Sequence, residues 1–161
     1  MAVHKLIWED QNTEPITVLA LHCNEEDFKI AFILNKKLKI TLKRQKEDYI
    51  IKTKTNDIAF SVFEFTRPFS QQRFYLIKNK TTTQEQKKNI GLFKDNLTPE
   101  NQVHFFLNEY KKPDYILKIN DTLTTEEMNG IIKEIKEIKE IFSVYLINQT
   151  HFKNNPHICQ I

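Results

Sequence analysis

A run of basic residues between positions 36 and 46, followed by aromatic residues in later segments, could form a binding surface. A basic sheet face with exposed aromatic rings can stack single-stranded bases while it neutralises their phosphates. The lysines and the aromatic residues fall on different predicted strands, which favours a solvated strand face beside a phenylalanine-rich core. Nucleic-acid binding by residues 36–46 is therefore the second hypothesis. Its candidate residues are Lys37, Lys39, Lys43 and Arg44, and the aromatic residues are Phe60, Phe63, Phe65, Phe74 and Tyr75.

Histidine and cysteine side chains do not have the spacing of a metal site. His151, His157 and Cys159 give the pattern H-x5-H-x-C, which is not a recurring arrangement of zinc ligands. His22 and Cys23 are adjacent at the end of a predicted strand. The sequence also lacks HExxH, GxSxG and Cys/His signatures, and no acid–base pair stands out. We therefore predict no metal, no cofactor and no catalytic residue, and an enzyme of unknown class is the third hypothesis.

Composition excludes the usual nucleotide-binding folds. The chain of 161 residues contains two glycines, Gly91 and Gly130. Glycine-rich phosphate cradles and dinucleotide turns need several glycines, because backbone N–H groups must approach phosphate oxygens closely. The 24 basic and 21 acidic side chains give a net charge of +3, which indicates a polyanion partner only where the excess is concentrated on one face.

The sequence predicts a cytoplasmic protein that does not enter a membrane. Charged residues make up 28% of the chain and the mean hydropathy is -0.52. No window approaches the roughly 18 consecutive apolar residues of a transmembrane helix. The first ten residues, MAVHKLIWED, lack the apolar core and cleavage site of a signal peptide. Two cysteines cannot build a disulfide framework, which fits a reducing compartment.

Residues 107–115, LNEYKKPDY, resemble the signature of the IPExxxVDY family, an uncharacterised bacterial family whose members are about this length. The matching residues are Glu109, Asp114 and Tyr115, and Leu107, Asn108 and Pro113 stand where the family has Ile, Pro and Val. The stretches MAVHKLI, FKIAFILNKKLKITLKR, FEF and GLF are also similar to members, so the resemblance covers most of the chain. It implies a bacterial protein with an intact fold, and it implies no activity.

Alternation along a strand limits what this segment can do. Asp114 and Tyr115 point to opposite faces of the strand that they begin, so they cannot both line one pocket from that strand. We therefore expect a structural role, in which the carboxylate accepts hydrogen bonds from turn N–H groups and the Tyr115 ring is buried. Glu109, followed by two lysines in a turn that Pro113 ends, is expected to be partly exposed. Binding through Glu109 and these lysines is the alternative.

Two strand–helix–strand units, at residues 16–44 and 114–147, are the clearest organisation of the chain. Asn24 is the predicted N-cap of the first helix, and Thr124 with Glu127 forms a predicted capping box for the second. Apolar residues at helical spacing predict the buried face of each helix. The predicted stripe of the first helix is Phe28, Ala31, Phe32, Asn35 and Leu38, and that of the second is Met128, Ile131, Ile132, Ile135, Ile138 and Phe142.

Alternation and β-propensity predict the strands, and one polar stretch predicts a loop. Strict alternation over residues 38–44 indicates a half-buried strand with a basic outer face. Residues 78–89 are the most polar in the chain and predict a mobile loop. The other predicted strands are residues 5–9, 16–22, 49–52, 58–65, 73–77, 114–119 and 142–147.

These elements predict an α+β fold, with a mostly antiparallel sheet and two helices packed on one of its faces. Residues 1–148 form the single predicted domain and residues 149–161 a polar C-terminal tail. Strong β segments and 12 phenylalanines without a catalytic signature favour a non-enzymatic interaction or binding domain, because spare apolar surface and open sheet edges favour association. We expect a homodimer through sheet edges or helix faces, and the sequence does not identify any other protein partner.

Overall fold

The structure, a computed structural model, describes residues 15–54, 56–85, 100–121, 123–148 and 155–161. The strand predicted at residues 5–9 and the histidine at position 151 lie outside these ranges. Within them the chain forms ten strands and three helices. The strands are β1 (Ile16–Cys23), β2 (Lys43–Arg44), β3 (Tyr49–Lys52), β4 (Asp57–Phe60), β5 (Val62–Thr66), β6 (Arg73–Lys78), β7 (Lys80–Glu85), β8 (Glu100–Phe105), β9 (Tyr115–Asn120) and β10 (Ile141–Leu146), and the helices are α1 (Asp27–Leu38), α2 (Thr125–Lys136) and α3 (Pro156–Gln160).

A six-stranded antiparallel sheet is the centre of the fold. Its strands follow the order β10-β1-β9-β6-β5-β2, while β3 with β4 and β7 with β8 form two separate hairpins. Every neighbouring pair in the six-stranded sheet is antiparallel. The α+β fold with a mostly antiparallel sheet is therefore confirmed. Among the described residues, no helix is long and apolar enough to cross a membrane.

Two crossover connections link distant strands of this sheet. β9 and β10 lie on either side of β1 and are both antiparallel to it, so α2 connects two parallel strands. Such strands cannot be joined by a tight turn and need a longer crossover, which a helix usually supplies. α1 likewise connects β1 to β2, which lies at the opposite edge of the sheet from β10. Both predicted strand–helix–strand units are present.

Both long helices pack on the same face of the sheet. Alternate residues of the central strands point toward the helices and form one buried cluster with them. The helices contribute Ile30, Ala31, Leu34 and Ile135, and one row of paired sheet residues contributes Leu19, Leu117, Leu76 and Phe63. The prediction of two helices on one face is confirmed.

The β3–β4 hairpin, the segment that follows β8 and α3 cover the opposite face. The intervening residues of the same strands form a second buried cluster with residues outside the sheet. The sheet contributes Val18, Ala20, Val62, Ile77 and Ile116, and the covering elements contribute Ile58, Phe60, Phe106, Leu107 and Ile158. Residues 155–161, which the sequence assigns to a polar tail, thus include a helix whose Ile158 is fully buried.

The predicted N-cap of α1 is wrong, and the predicted buried face is wrong at Phe28 and Phe32. Glu26, two positions after Asn24, occupies the N-cap. Phe28 and Phe32 are 65% and 68% exposed, whereas Ile30, Ala31 and Leu34 are the buried residues of the helix. Residues 28–34, FKIAFIL, contain one charged residue, so apolar side chains point to several sides of the helix. Contact with the sheet decides which of these sides is buried.

The predicted strand at residues 38–44 is also wrong over most of its length. α1 continues to Leu38, and Lys39 adopts a left-handed conformation with a φ of 53°. The Asn35 side chain then accepts from the N–H of Leu42 at 2.7 Å and donates to its oxygen at 3.1 Å. These two bonds occupy the N–H and the main-chain oxygen of Leu42, which a strand would use to pair with its neighbour. The strand therefore contains only Lys43–Arg44, which form β2.

Three further segments differ from the sequence prediction. The single strand predicted at 58–65 is divided at Ser61 into β4 and β5, which belong to different sheets. Residues 80–85 form β7 rather than a loop, because three consecutive threonines have high β-propensity and pair with β8. α2 ends at Lys136, so Ile138 lies after the helix and Phe142 lies in β10, where it is exposed.

The capping box of α2 is present as predicted. Thr124 Oγ1 accepts from the N–H of Glu127 at 3.2 Å, and Glu127 Oε2 accepts from the N–H of Thr124 at 2.9 Å. These bonds to Thr124 lower the pKa of Glu127. Each bond satisfies an N–H that the first turn of a helix leaves without a helical partner.

Replacement of the capping threonine should measurably weaken the protein. We expect Thr124→Ala to lower the free energy of unfolding by about 1 kcal/mol in urea denaturation, because an N–H loses its acceptor. Thr125→Ala, one residue into the helix and exposed, is the matched control and should change that energy by less than about 0.5 kcal/mol. Equal losses in the two variants would contradict the role of the capping box.

Candidate functional site

One buried side chain, that of Asn79, holds the segment at residues 107–115. Its Nδ2 donates to the main-chain oxygens of Tyr110 and Pro113, at 2.7 and 2.9 Å. Its Oδ1 accepts from the N–H of Leu107 at 2.9 Å. The amide is fully buried and uses both its donors and its acceptor, so it fixes the path of the segment after β8.

Asp114 and Tyr115 both attach the end of this segment to the chain at the end of β1. Asp114 Oδ2 accepts from the N–H of Cys23 at 3.1 Å, at the point where the β1 register shifts after His22. The Tyr115 ring is buried under α1, and its hydroxyl donates to the main-chain oxygen of Glu25 at 2.8 Å. The carboxylate thus accepts from a backbone N–H and the ring is buried.

Glu109 lies on the outer side of the same segment. It is exposed, as are Lys111 and Lys112. The ammonium of Lys111 lies 5.8 Å from the centre of the Phe105 ring. Exposure of Glu109 agrees with the sequence prediction, and the contacts that fix the segment come from its main chain and its buried residues.

Substitutions at positions 115 and 109 should therefore have different effects on stability. We expect Tyr115→Ala to lower the free energy of unfolding by about 3 kcal/mol, because it removes a buried ring and leaves a cavity. Glu109→Ala should change that energy by less than about 0.5 kcal/mol, because the side chain is exposed. Guanidinium denaturation measures both. A fully stable Tyr115→Ala protein would contradict the structural role of this segment.

The four candidate nucleic-acid-binding residues do not share one surface. Lys43 and Arg44 are adjacent in β2, so their side chains point to opposite faces of the sheet. The Arg44 guanidinium lies 5.7 Å from the centre of the Phe63 ring on the helix side and pairs with Asp48. On the helical layer, Lys37 Nζ pairs with Glu137 at 2.6 Å, and Lys39 is the exposed C-cap of α1.

Histidines and cysteines in the described part of the chain make packing contacts. Cys23 is buried, and this burial raises the pKa of its thiol to about 11, which keeps it protonated and unreactive. His22 packs on Tyr145, with ring centres 5.7 Å apart. His157 packs on Tyr49 and Phe106, and Cys159 is exposed.

A row of polar side chains crosses the sheet on the face opposite α1 and α2. Lys43 of β2, Glu64 of β5, Tyr75 of β6 and Lys118 of β9 are paired in register, one strand after the next. Directly paired residues share a face and lie about 5 Å apart. Of the two adjacent rows on the same face, the one with Val62, Ile77, Ile116 and Ala20 is apolar, and the one with Thr66, Arg73 and Asn120 is polar.

This polar row lies beside an open cleft of about 620 Å³. The cleft is lined by residues 43–49, by Val62, Glu64 and Tyr75 of the sheet, and by Ile161. Lys118 is 1% exposed, and its ammonium donates to the main-chain oxygen of Ile161 and lies 5.4 Å from the centre of the Tyr75 ring. Burial raises the pKa of Tyr75.

A second notable surface is the edge formed by β10. Phe142 is 67% exposed, and Tyr145 and Leu146 are also exposed. The N–H of Ile147 donates to the Val18 oxygen at 2.8 Å, so residues 143 and 145 also direct their main-chain groups toward β1. The main-chain groups of residues 144 and 146 therefore point outward, and in the described ranges no further strand pairs with them.

Sequence reasoning did not identify Asn79 or Lys118. A lysine inside the apolar strand YILKIN is a visible irregularity, and it could have been noticed. The environment of this lysine depends on the sheet face to which it points, and the sequence does not specify that face. Asn79 stands in the polar stretch that predicts a loop, so it has no distinguishing signal.

Comparison with known proteins adds no relative. No protein-family model, no curated protein and no solved structure matches this chain. The resemblance to the IPExxxVDY family accordingly depends on the residues quoted for it above. Functional reasoning starts from the β10 edge and the polar cleft.

Proposed function

We propose that the protein is a non-enzymatic interaction domain of the bacterial cytoplasm that forms a homodimer through the edge of β10. The observation that carries this proposal is the edge strand β10, which has exposed apolar side chains and main-chain groups that point outward. Membership of the IPExxxVDY family is part of the proposal and is supported by Glu109, Asp114 and Tyr115. The two free cysteines support a reducing compartment.

The two edges of the sheet differ in their protection against association. Edge strands are commonly protected by short length, charged side chains, proline or bulges. β2 is two residues long and carries Lys43, which is exposed. β10 is six residues long, and its sequence IFSVYL contains no charged residue, proline or glycine. Among the described residues, its one protection is a bulge near Phe142, where the register with β1 shifts.

A second copy of the chain fits this edge better than a charged partner. An uncharged strand meets no like-charge repulsion when its own copy approaches across a two-fold axis. Outward groups at residues 144 and 146 supply the hydrogen bonds of an added strand. Phe142 and Leu146 supply apolar surface that such pairing removes from water.

Light scattering during size-exclusion chromatography tests this proposal. We expect a mass near twice the 19.3 kDa of one chain at micromolar concentration. The double variant Phe142→Lys with Leu146→Lys should raise the dissociation constant at least tenfold, or about 1.4 kcal/mol, because it places charges on the edge. A monomeric wild-type protein at high concentration contradicts the proposal.

A matched variant separates the edge from the helix face. Phe32 of α1 is as exposed as Phe142, and it lies on the helical layer. Phe32→Lys introduces one positive charge, where the β10 variant introduces two, and should leave the dimer intact. Dissociation by Phe32→Lys, with the β10 variant still dimeric, would place the interface on α1 instead.

Nucleic-acid binding through residues 36–46 is the alternative proposal. Lys43, with Lys46 and Tyr49, lies at the polar cleft. Binding of this kind would weaken steeply between low and physiological salt, and charge reversal at Lys39 and Lys43 would weaken it for every sequence alike. Because the four candidate residues are dispersed, we expect no binding of a single-stranded oligonucleotide even at low salt, measured by fluorescence anisotropy. If the protein binds the oligonucleotide in a salt-sensitive manner and the Lys39→Glu and Lys43→Glu variants do not, nucleic-acid binding would become the leading proposal.

A further inference from the structure

Three exposed lysines lie around one aromatic ring at one end of the β7–β8 hairpin. Lys80 begins β7 and pairs directly with Phe105 at the end of β8, and its ammonium lies 6.0 Å from the centre of the Phe105 ring. The Lys111 ammonium lies 5.8 Å from the same centre, and Lys112 is the next residue along the chain. All three lysines are exposed. These three lysines and Phe105 form the lysine surface.

The lysine surface keeps an excess of positive charge. None of its three lysines forms an ion pair with another described residue. Glu109 is exposed and lies in the same segment as two of the lysines. Asp114, the other carboxylate of residues 107–115, accepts from the N–H of Cys23. Three exposed lysines are therefore accompanied by one exposed glutamate of this segment.

The buried amide of Asn79 fixes the backbone that carries these lysines. Its Nδ2 donates to the main-chain oxygens of Tyr110 and Pro113, which lie on either side of residues 111–112. Lys80 directly follows Asn79 in the chain. Side chains on a backbone that is already fixed lose less conformational entropy when a ligand binds. One buried side chain therefore holds all three lysines in place before a ligand arrives.

An exposed apolar side chain adjoins the lysine surface. Val103 is two residues before Phe105 in β8, so the two side chains point to the same face of the hairpin. Val103 is 49% exposed, and Thr82, with which it pairs, is also exposed. The alternate residues Thr81 and His104 are half-buried and lie on the other face. The outer face of the hairpin therefore offers an apolar contact beside a group of positive charges.

We propose that the lysine surface binds an acidic segment of a partner protein, with at least two carboxylates and one apolar side chain. Carboxylates pair with the exposed ammonium groups, and complementary charge speeds association and excludes basic partners. The apolar side chain of the segment packs on Val103, and this contact removes both groups from water. The inference goes beyond the homodimer, because no residue of the lysine surface belongs to β10.

A segment rich in carboxylates fits this surface better than a nucleic acid. Single-stranded nucleic acids gain much of their affinity when bases stack on aromatic rings. Phe105 is half-buried, and the ammonium groups of Lys80 and Lys111 lie over its ring, where a base would stack. Carboxylates need no ring, because they accept charge-assisted hydrogen bonds from the ammonium groups directly.

Fluorescence anisotropy with a labelled acidic peptide tests this inference on the full chain. The probe is a fluorescein-labelled peptide of six glutamates and one leucine with serine spacers, and the control peptide has glutamine in place of every glutamate. We expect the glutamate peptide to bind at low salt with a dissociation constant below about 0.1 mM, and the glutamine peptide not to bind. A glutamate peptide that does not bind contradicts the proposal.

Paired substitutions assign the binding to the lysine surface. Lys80→Gln with Lys111→Gln should raise the dissociation constant at least tenfold, because two ammonium groups are lost. Lys133→Gln with Lys136→Gln removes the same charge from α2, where both lysines are exposed, and should change the constant less than twofold. Equal weakening in the two double variants would show that the peptide responds to net charge alone, and it would overturn the inference.

A charge reversal and a third probe complete the test. Glu109→Lys should lower the dissociation constant of the glutamate peptide severalfold, because it removes the one exposed carboxylate of the segment, and weaker binding contradicts the proposal. A single-stranded oligonucleotide with six phosphates should bind more weakly than this peptide. Tighter binding of the oligonucleotide that Lys80→Gln with Lys111→Gln abolishes would contradict a protein partner. The dimer proposal is unaffected by these results, because the β10 edge and the lysine surface use different residues.

Discussion

Burial of β9 on both of its faces is the constraint on which the rest of the structure depends. Residues 115–119 of this strand are all buried, and its apolar side chains alternate between two separate clusters. A strand of this kind must have elements covering each side. The helices cover one side, and the β3–β4 hairpin, the segment after β8 and α3 cover the other. Lys118 is buried as well, although it belongs to neither apolar cluster.

On the sheet face opposite α1 and α2, a small number of polar residues hold the segments that have no regular secondary structure. The side chain of Asn79 makes hydrogen bonds to three main-chain groups of one segment. These bonds take the place of those that a continuing strand would make. Asp114 does the same for the N–H of Cys23 at the β1 register shift. Buried amides and carboxylates that satisfy backbone groups allow a loop to lie close to a core without leaving polar atoms unpaired.

Local signals were sufficient for part of the fold and of the site. The capping box and isoleucine spacing of α2 specify that helix, and the burial of Tyr115 was expected from its place at the start of an apolar strand. The buried face of α1 could not be predicted, because its run of apolar residues offers several stripes and the choice belongs to the sheet. Threonine-rich β7 was mistaken for a loop because polarity alone does not distinguish an exposed strand from a turn. The residues that line the cleft could not be predicted, because they depend on how several strands pair, and no local sequence pattern contains that information.

The position of β1 between β9 and β10 also determines when the sheet can form during synthesis. β1 is among the first described segments of the chain, yet both of its neighbours belong to the segment from Tyr115 onward. Contacts between such distant positions slow folding, because a long loop must close before they are made. On the ribosome the apolar strand β1 would therefore stay without its sheet partners until β9 has emerged. The chain would then depend on chaperones or on its early helix to shield β1 from other nascent chains.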